Sequence, residues 1–343
     1  MKLIEPKVEL IKQEPGIEGI YKQIEVAARL CYKSEDKIID VIKIDLSKIP
    51  DSINVNDLPN YKENKEECLK FLKENNIPYS FISSAKSFVN MLKERGHNAM
   101  LEHGTVYLRV KLSEDEITPC DSLYHYKNNK YSNYTVLSTS PNVREAFITT
   151  NYRVLVENGW LDDLKYLCEP TSYHQKRYTF HFVTSIGITR ELIRHRHMSF
   201  ANESTRYCNY NSGKFNGEIT FIKPYWLKDV PFLDEDGHFN SDMYYFDISP
   251  YYKLFQQPYI DHSFLNACVD AEVRYKGLIS NGFKPQEARE VLPMCTKSEI
   301  IMTGFESDWN AFFKLRCDKA AHPDMQYLAN KAKEIIDNEK MRV

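Results

Sequence analysis

Several things are scarce in this 343-residue chain, and each shortage closes off a class of protein. Glycine numbers only 12, and no Gly-x-Gly-x-x-Gly opens a helix after a strand, so a doubly wound dinucleotide-binding fold is not expected. The eight cysteines (Cys31, Cys68, Cys120, Cys168, Cys208, Cys268, Cys295, Cys317) are scattered without a Cys-x-x-Cys pair. The opening Met1-Lys2-Leu3-Ile4-Glu5 does not read as a signal peptide, so free thiols in a reducing, cytoplasmic setting are expected. No apolar run approaches the roughly 20 residues needed to cross a bilayer, and no membrane partner is expected. A basic excess is missing too. The formal net charge is −3, whereas a general nucleic-acid binder needs a positive face. What remains, 42% apolar residues, is ample for a packed core.

Apolar spacing predicts the elements. Ile20, Ile24, Ala27, Ala28 and Cys31 predict a helix over 18–31; Phe88, Met91 and Leu92 predict another over 84–95, ended by a left-handed Gly96. Thr105 to Leu112 alternates with period two and is rich in β-branched residues, the pattern of a half-buried strand. Tyr178 to Ile188 reads as a strand entering a helix that carries Arg190, Glu191 and Arg194, with Arg190 and Arg194 on one face. The last third reads as helices over 261–280 (stopped by Gly282), from Pro285 to Pro293, from a Ser307-Asp308 cap to Arg316, and from Pro323 onward. The stripe of the last one is Met325, Leu328, Ala332, Ile335 and Ile336. Two polar stretches, about 113–176 and 212–250, read as insertions into a single domain over 1–343; the first regains helical character at 160–167. The whole predicts an α+β domain, a sheet with helices around it.

The basic residues that the overall charge hides are concentrated in Arg194-His195-Arg196-His197-Met198-Ser199-Phe200-Ala201-Asn202-Glu203-Ser204-Thr205-Arg206-Tyr207. Guanidinium forks, an imidazole and hydroxyls so close together suit a phosphorylated, planar, anionic ligand. A bare Arg-His-Arg is more often a solvated helix C-terminus. His195 and His197 have no third ligand at a recognisable spacing, so no metal is expected. The full pattern resembles the signature of flavin-dependent thymidylate synthases: Arg-His-Arg, two free positions, Ser, then Ser-x-Arg-Tyr. Three further segments are similar to that family: Gly96-His97-Asn98-Ala99-Met100-Leu101-Glu102-His103, Ala27-Ala28-Arg29-Leu30-Cys31-Tyr32-Lys33-Ser34, and Glu287-Ala288-Arg289-Glu290-Val291-Leu292-Pro293. Two places depart from it. Ala201 and Asn202 stand where Asn and Glu or Gln are usual, with Glu203 shifted by one, and Phe305 and Ser307 replace an Asn-x-Arg usually found ahead of Arg316.

The resemblance implies an α+β fold with a central, mostly antiparallel sheet flanked by helices, of the thymidylate synthase-complementing type. It implies reductive methylation of dUMP to dTMP, with FAD as cofactor, methylenetetrahydrofolate as the folate carbon donor and NADPH as reductant. FAD would lie between subunits of a homotetramer. Residue by residue, dUMP falls to Glu191, Arg194, Ser204, Arg206, Arg289 and Arg316, with Arg316 catalytic through the uracil carbonyl. FAD falls to His103, Thr105, Arg194, His195, Arg196, Asn202 and, for the lost Asn-x-Arg, Asn310; Asn151-Tyr152-Arg153 is a further candidate for those contacts. Arg316 also has a reading of its own: it follows Trp309, Phe312 and Phe313 at seven, four and three residues, on an apolar stripe where arginine seldom points without an anion. Two rival readings stand beside this one. One is a flavin-independent methylase in which Cys208 adds to the pyrimidine; the other is a non-enzymatic nucleotide or nucleic-acid module using the basic cluster and the 23 tyrosines.

Overall fold

The structure, a computed structural model, describes the chain except residues 51, 55–57, 62, 113–122, 141–142, 228–232, 240–259 and 342–343. In chain order the elements are β1 Lys2–Ile4, β2 Lys7–Ile11, α1 Gly16–Cys31, β3 Asp40–Ile44, α2 Lys65–Glu74, β4 Tyr79–Ser83, α3 Ala85–Glu94, β5 Thr105–Leu112, β6 Asn133–Ser140 and β7 Val143–Asn151. They continue with α4 Tyr152–Asn158, β8 Arg177–Ser185, α5 Ile186–Leu192, β9 Ser199–Asn202, β10 Thr220–Ile222, α6 Ile260–Ser280, α7 Pro285–Ala288, β11 Lys297–Phe305, α8 Glu306–Arg316 and α9 Pro323–Met341. This is an α+β fold.

Its central sheet has the order β2-β8-β11-β9, with every pair antiparallel. Strand alternation sorts the side chains. Phe180 and Phe182 of β8 and Ile300 and Met302 of β11 point to one face, where Trp309, Phe312, Met325 and Leu328 of α8 and α9 cover them. On the opposite face Ala201 and Ile301 meet Ala27 and Leu30 of α1. Both faces are therefore apolar, as expected of a sheet with helices on either side. Trp309 is fully buried, and its indole N–H donates to the Tyr178 carbonyl at 3.1 Å, so its one polar group is not stranded.

A second layer is built on α1 as well. The antiparallel sheet β5-β7-β6 shares a core with α1 and α3 in which Ile20, Ile24, Val89, Leu92, Val106, Leu108, Ile148 and Leu155 are buried. Helix α1 is thus shared between two cores, which explains why its apolar residues occupy more than one stripe. Gly104 sits at the joint: a Cβ there would come within 2.7–2.9 Å of Ile20 and Ile24 side-chain atoms, so only glycine allows the approach. Of the stretch set apart at 113–176, residues from Leu123 to Leu167 contribute to this layer, and 113–122 and 141–142 lie outside the described residues. In the 212–250 stretch, β10 pairs parallel with β1, and 228–232 and 240–250 lie outside the described residues.

The element boundaries follow the sequence closely. Strand β5 spans the expected residues, and Gly96 and Gly282 are left-handed, with φ of 70° and 89°, where helix ends were expected. Ser307 is not the cap of α8. The helix starts at Glu306 with Phe305 in the cap position, and Asp308 in its first turn accepts the Phe305 N–H at 3.0 Å. The helix expected between Pro285 and Pro293 is reduced to α7 and a 3₁₀ turn over Arg289–Val291. Among the described residues no helix is long and apolar enough to cross a membrane.

Candidate functional site

The signature is laid out by a short helix running onto a sheet edge. The Ser185 hydroxyl accepts the Ile188 N–H at 3.2 Å and starts α5, which ends after two turns. A tight turn follows, in which His195 N–H donates to Leu192 O and Met198 N–H to His195 O, and β9 then pairs with β11. Arg194, Arg196 and His197 stand exposed on that turn. Period two along β9 buries Ser199 and Ala201 and turns Asn202 outward, where the Ser298 hydroxyl donates to its Oδ1 at 3.2 Å. Glu203 lies past the strand and turns inward, its carboxylate 3.0 Å from Lys297 Nζ and 3.8 Å from Lys33 Nζ. The shifted Asn-Glu register therefore has a physical account: Asn202 takes the outward strand position, and Glu203 joins a buried charge cluster. In that cluster burial works to raise the Glu299 carboxyl, but His181, Lys297 and Lys33 together hold it well below the usual carboxylate range.

Arg316, at the end of α8, reaches back to α5. Its Nε donates to His195 Nε2 at 3.0 Å, its Nη1 to Glu191 Oε2 at 2.8 Å and its Nη2 to the Glu191 carbonyl at 3.1 Å. The anion that its apolar-stripe position called for is Glu191, and three donors fix the guanidinium plane. The Phe312 ring stands edge-on to His195, with centroids 4.9 Å apart. Burial, and then the Arg316 charge, pull the imidazole down to about 4. His195 is thus neutral at pH 7, with Nε2 as acceptor and its proton on Nδ1.

Two clefts flank the signature. The smaller, about 380 Å³, is lined by Thr189 and Arg190 of α5, Asn202, Thr205, Arg289 and Ser298. Arg289 Nη1 donates to the Thr205 hydroxyl at 3.4 Å, which brings the 287–293 segment against the Ser204-Thr205-Arg206 turn. That turn is tied to the 27–34 segment, because Ser204 N–H donates to Cys31 O. On the exposed side Tyr32 and Tyr207 rings lie 5.7 Å apart, Tyr32 OH is 3.4 Å from His97 Nδ1, and Arg206 lies 5.4 Å over Tyr207. The larger cleft, about 720 Å³, has Arg196, His197 and Ser199 on one side and Asn151, Arg153 and Arg177 on the other.

The remaining assigned residues are dispersed. His103 is fully buried, with Nδ1 2.8 Å from Thr303 Oγ1; burial, and then the Arg177 charge, hold it at about 3. In this chain it is the exposed His97, not His103, that the Gly96–His103 segment presents at the surface. Thr105 is also buried and accepts from Arg177 Nη1 at 3.2 Å. Asn310 is exposed on α8. The seven residues assigned to flavin thus do not meet in one hollow of a single chain: Arg196 borders the larger cleft, Asn202 the smaller, and His195 the Arg316 cluster. Arg177 was not picked out from the sequence. It donates Nη2 to the Glu102 carbonyl at 3.1 Å, its Nε has no hydrogen-bond partner, and burial lowers its guanidinium to about 10. In the polar run Gln175-Lys176-Arg177 nothing distinguishes it from a surface arginine.

Residues 149–339, more than half of the chain, match the family of thymidylate synthase complementing proteins. This chain belongs to that family. The matching span begins at the end of β7 and takes in the signature, Arg289, Arg316 and the Asn151-Tyr152-Arg153 triplet. A flavin-dependent thymidylate synthase of Corynebacterium efficiens is 29% identical over 151 residues, which are 42% of this chain and 51% of that protein. The chain spans about half the length of that curated relative. A crystal structure of the UMP/dUMP methylase PolB from Streptomyces cacaoi, bound with 5-Br dUMP, aligns over 98% of this chain and 93% of its own, at 16% identity and a TM-score of 0.37.

Proposed function

We propose that this chain is a flavin-dependent thymidylate synthase that methylates dUMP to dTMP, with methylenetetrahydrofolate as carbon donor, FAD as cofactor and NADPH as reductant. The observation that carries the reading is the Arg316-Glu191-His195 cluster, in which the signature's own helix and turn aim a three-donor guanidinium. Making C5 of a uracil nucleophilic requires stabilising negative charge on the ring, and a preoriented cationic donor contributes about 3–4 kcal/mol in comparable anion sites. Arg316 would exchange the Glu191 carboxylate for the uracil carbonyl, while neutral His195, accepting at Nε2, keeps the guanidinium plane in place. Arg289, Ser204 and Arg206 would hold the nucleotide phosphate and sugar. Of these, Arg289 lines the smaller cleft, together with Asn202 and Arg190.

The residues present fit a dinucleotide cofactor. Arg194 and Arg196 are exposed and carry no ion pair among the described residues, and the larger cleft lies in the range of about 300–1,000 Å³ typical of ligand sites. Arg196, Arg153 and Asn151 would hold the flavin, which supplies the redox chemistry that no side chain can. Arg194, Arg206, Tyr207 and Asn310 are left exposed on the single chain, which supports sites completed by neighbouring subunits of a homotetramer. The cysteine rival finds little support, because Cys208 is buried and its thiol is pushed up to about 12, chiefly by burial and then by the Glu203 charge.

Colour tests the proposal. The purified protein should be yellow and should bleach faster with NADPH when dUMP is present; a colourless protein unable to take up FAD rejects the reading. Cys208→Ala should keep turnover, and its loss with flavin still bound would favour the rival.

A further inference from the structure

Resting on that reading, we propose that the larger cleft is the subsite for an adenosine diphosphate group, with Lys130 and Tyr131 forming its outer wall. Adenosine diphosphate is common to FAD and NADPH, and both sources are considered. The wall is a turn ahead of β6. It is firmly built: Asn129 Oδ1 accepts the Tyr131 N–H at 2.9 Å, and Ser132 Oγ lies 2.8 Å from Thr150 Oγ1 on β7. The turn presents an exposed tyrosine ring, 54% accessible, with Lys130 Nζ 4.8 Å from its centroid.

Charge decides what this wall faces. Glu102 at 2.5 Å and Glu157 at 2.8 Å both engage Arg153. The lining thus holds four cations, Lys130, Arg153, Arg177 and Arg196, against three carboxylates, Glu102, Glu157 and Asp308, and Lys130 and Arg196 carry no ion pair among the described residues, while Asp308 accepts the Phe305 N–H. Arg177 has a buried Nε–H without a partner, and an unmet donor on a guanidinium is costly unless an anion completes it. Two aromatic rings line the cleft, Tyr131 and Phe305, the latter with the Arg177 carbon centre 5.4 Å from its centroid. Cations set beside aromatic rings match a diphosphate joined to a planar base. A cleft of about 720 Å³ is also much larger than inorganic phosphate needs.

The probe is ADP, titrated into the full chain by calorimetry. ADP should bind the wild type, bind Lys130→Glu and Tyr131→Ala at least about tenfold more weakly, and bind Tyr131→Phe like the wild type. Affinity for dUMP should not change. Both residues are exposed, and equal melting curves will confirm that the variants fold. Reduced FAD uptake in the variants identifies FAD as the source; intact uptake with a raised NADPH requirement for bleaching identifies NADPH. Absent ADP binding, or equal binding by wild type and variants, overturns the subsite, and a yellow wild type then leaves the synthase reading standing. ADP binding weakened in the variants, with no flavin taken up by the wild type, does the reverse.

Discussion

The smaller cleft is walled by residues between 186 and 205 and between 289 and 298, all inside the stretch that matches the family, whereas the larger cleft takes part of its wall from Glu102, Asn129, Lys130 and Tyr131, ahead of that stretch. Their chemistry differs. The smaller sets Arg190 and Arg289, with the hydroxyls of Thr189, Thr205 and Ser298, against the carboxylates of Glu203 and Glu290, and its donors suit a phosphate monoester. The larger combines guanidinium groups with aromatic rings. In the synthase reading, the smaller cleft would handle the nucleotide being methylated, and the larger, with Lys130 and Tyr131 added from outside the matching stretch, would take the larger ligand.

Arg316 belongs to neither cleft, and its removal should have the largest effect. Arg316→Ala is expected to lower turnover by about 10²–10³, the loss seen when an anion-stabilising donor is removed. The pair it leaves is only part-buried, so melting should move little; a rate within about threefold of wild type would detach Arg316 from the chemistry. A smaller, reciprocal pair of effects tests the division itself. Arg289→Ala should raise the dUMP requirement about tenfold and leave flavin uptake alone, whereas Arg153→Ala should weaken flavin uptake and leave dUMP alone. Asn151 caps α4 through its Oδ1, so Asn151→Asp, which keeps the cap and removes the amide donor, isolates any ligand role. If every variant disturbs both ligands equally, the clefts act as one site and the comparison fails.

What was legible in the sequence was whatever local periodicity controls. Strand β5 could be read because its alternation persists in the structure, and Arg316 stood out because an arginine on an aromatic stripe needs an anion. That the anion is Glu191, 125 residues away, is a tertiary fact without a local signal. The same holds for His103, whose motif suggested a ligand contact but whose ring is met by Thr303, 200 residues on. The β5-β7-β6 sheet was obscured for a different reason. Glu145 is buried by a two-pronged contact from Arg109 at 3.1 and 2.8 Å, and Thr149 and Thr150 are buried too, so an interior strand reads as polar.

The smallest expected effect concerns acid stability, and it tests whether the Arg316 cluster is as tightly coupled as its geometry shows. His195 at about 4 and His103 at about 3 both lie below the ordinary histidine value of 6.5. Below pH 6.5 the unfolded chain takes up protons that these rings in the folded chain refuse, so their contribution is fully present above 6.5 and is lost as pH falls toward 4 and 3. Carboxylates held low, such as Glu299, lose their contribution only below 4.5, so they stay silent between pH 7 and 5. The urea midpoint of the wild type should therefore fall from pH 7 to pH 5, and it should fall less in His195→Asn, with His103 common to both. In Arg316→Ala the second cause of the His195 depression is gone, and the imidazole should titrate closer to 6.5 in proton NMR. An unchanged titration there would show that the Arg316 charge does not contribute to the His195 depression, and equal midpoint losses in wild type and His195→Asn would show that His195 is not depressed.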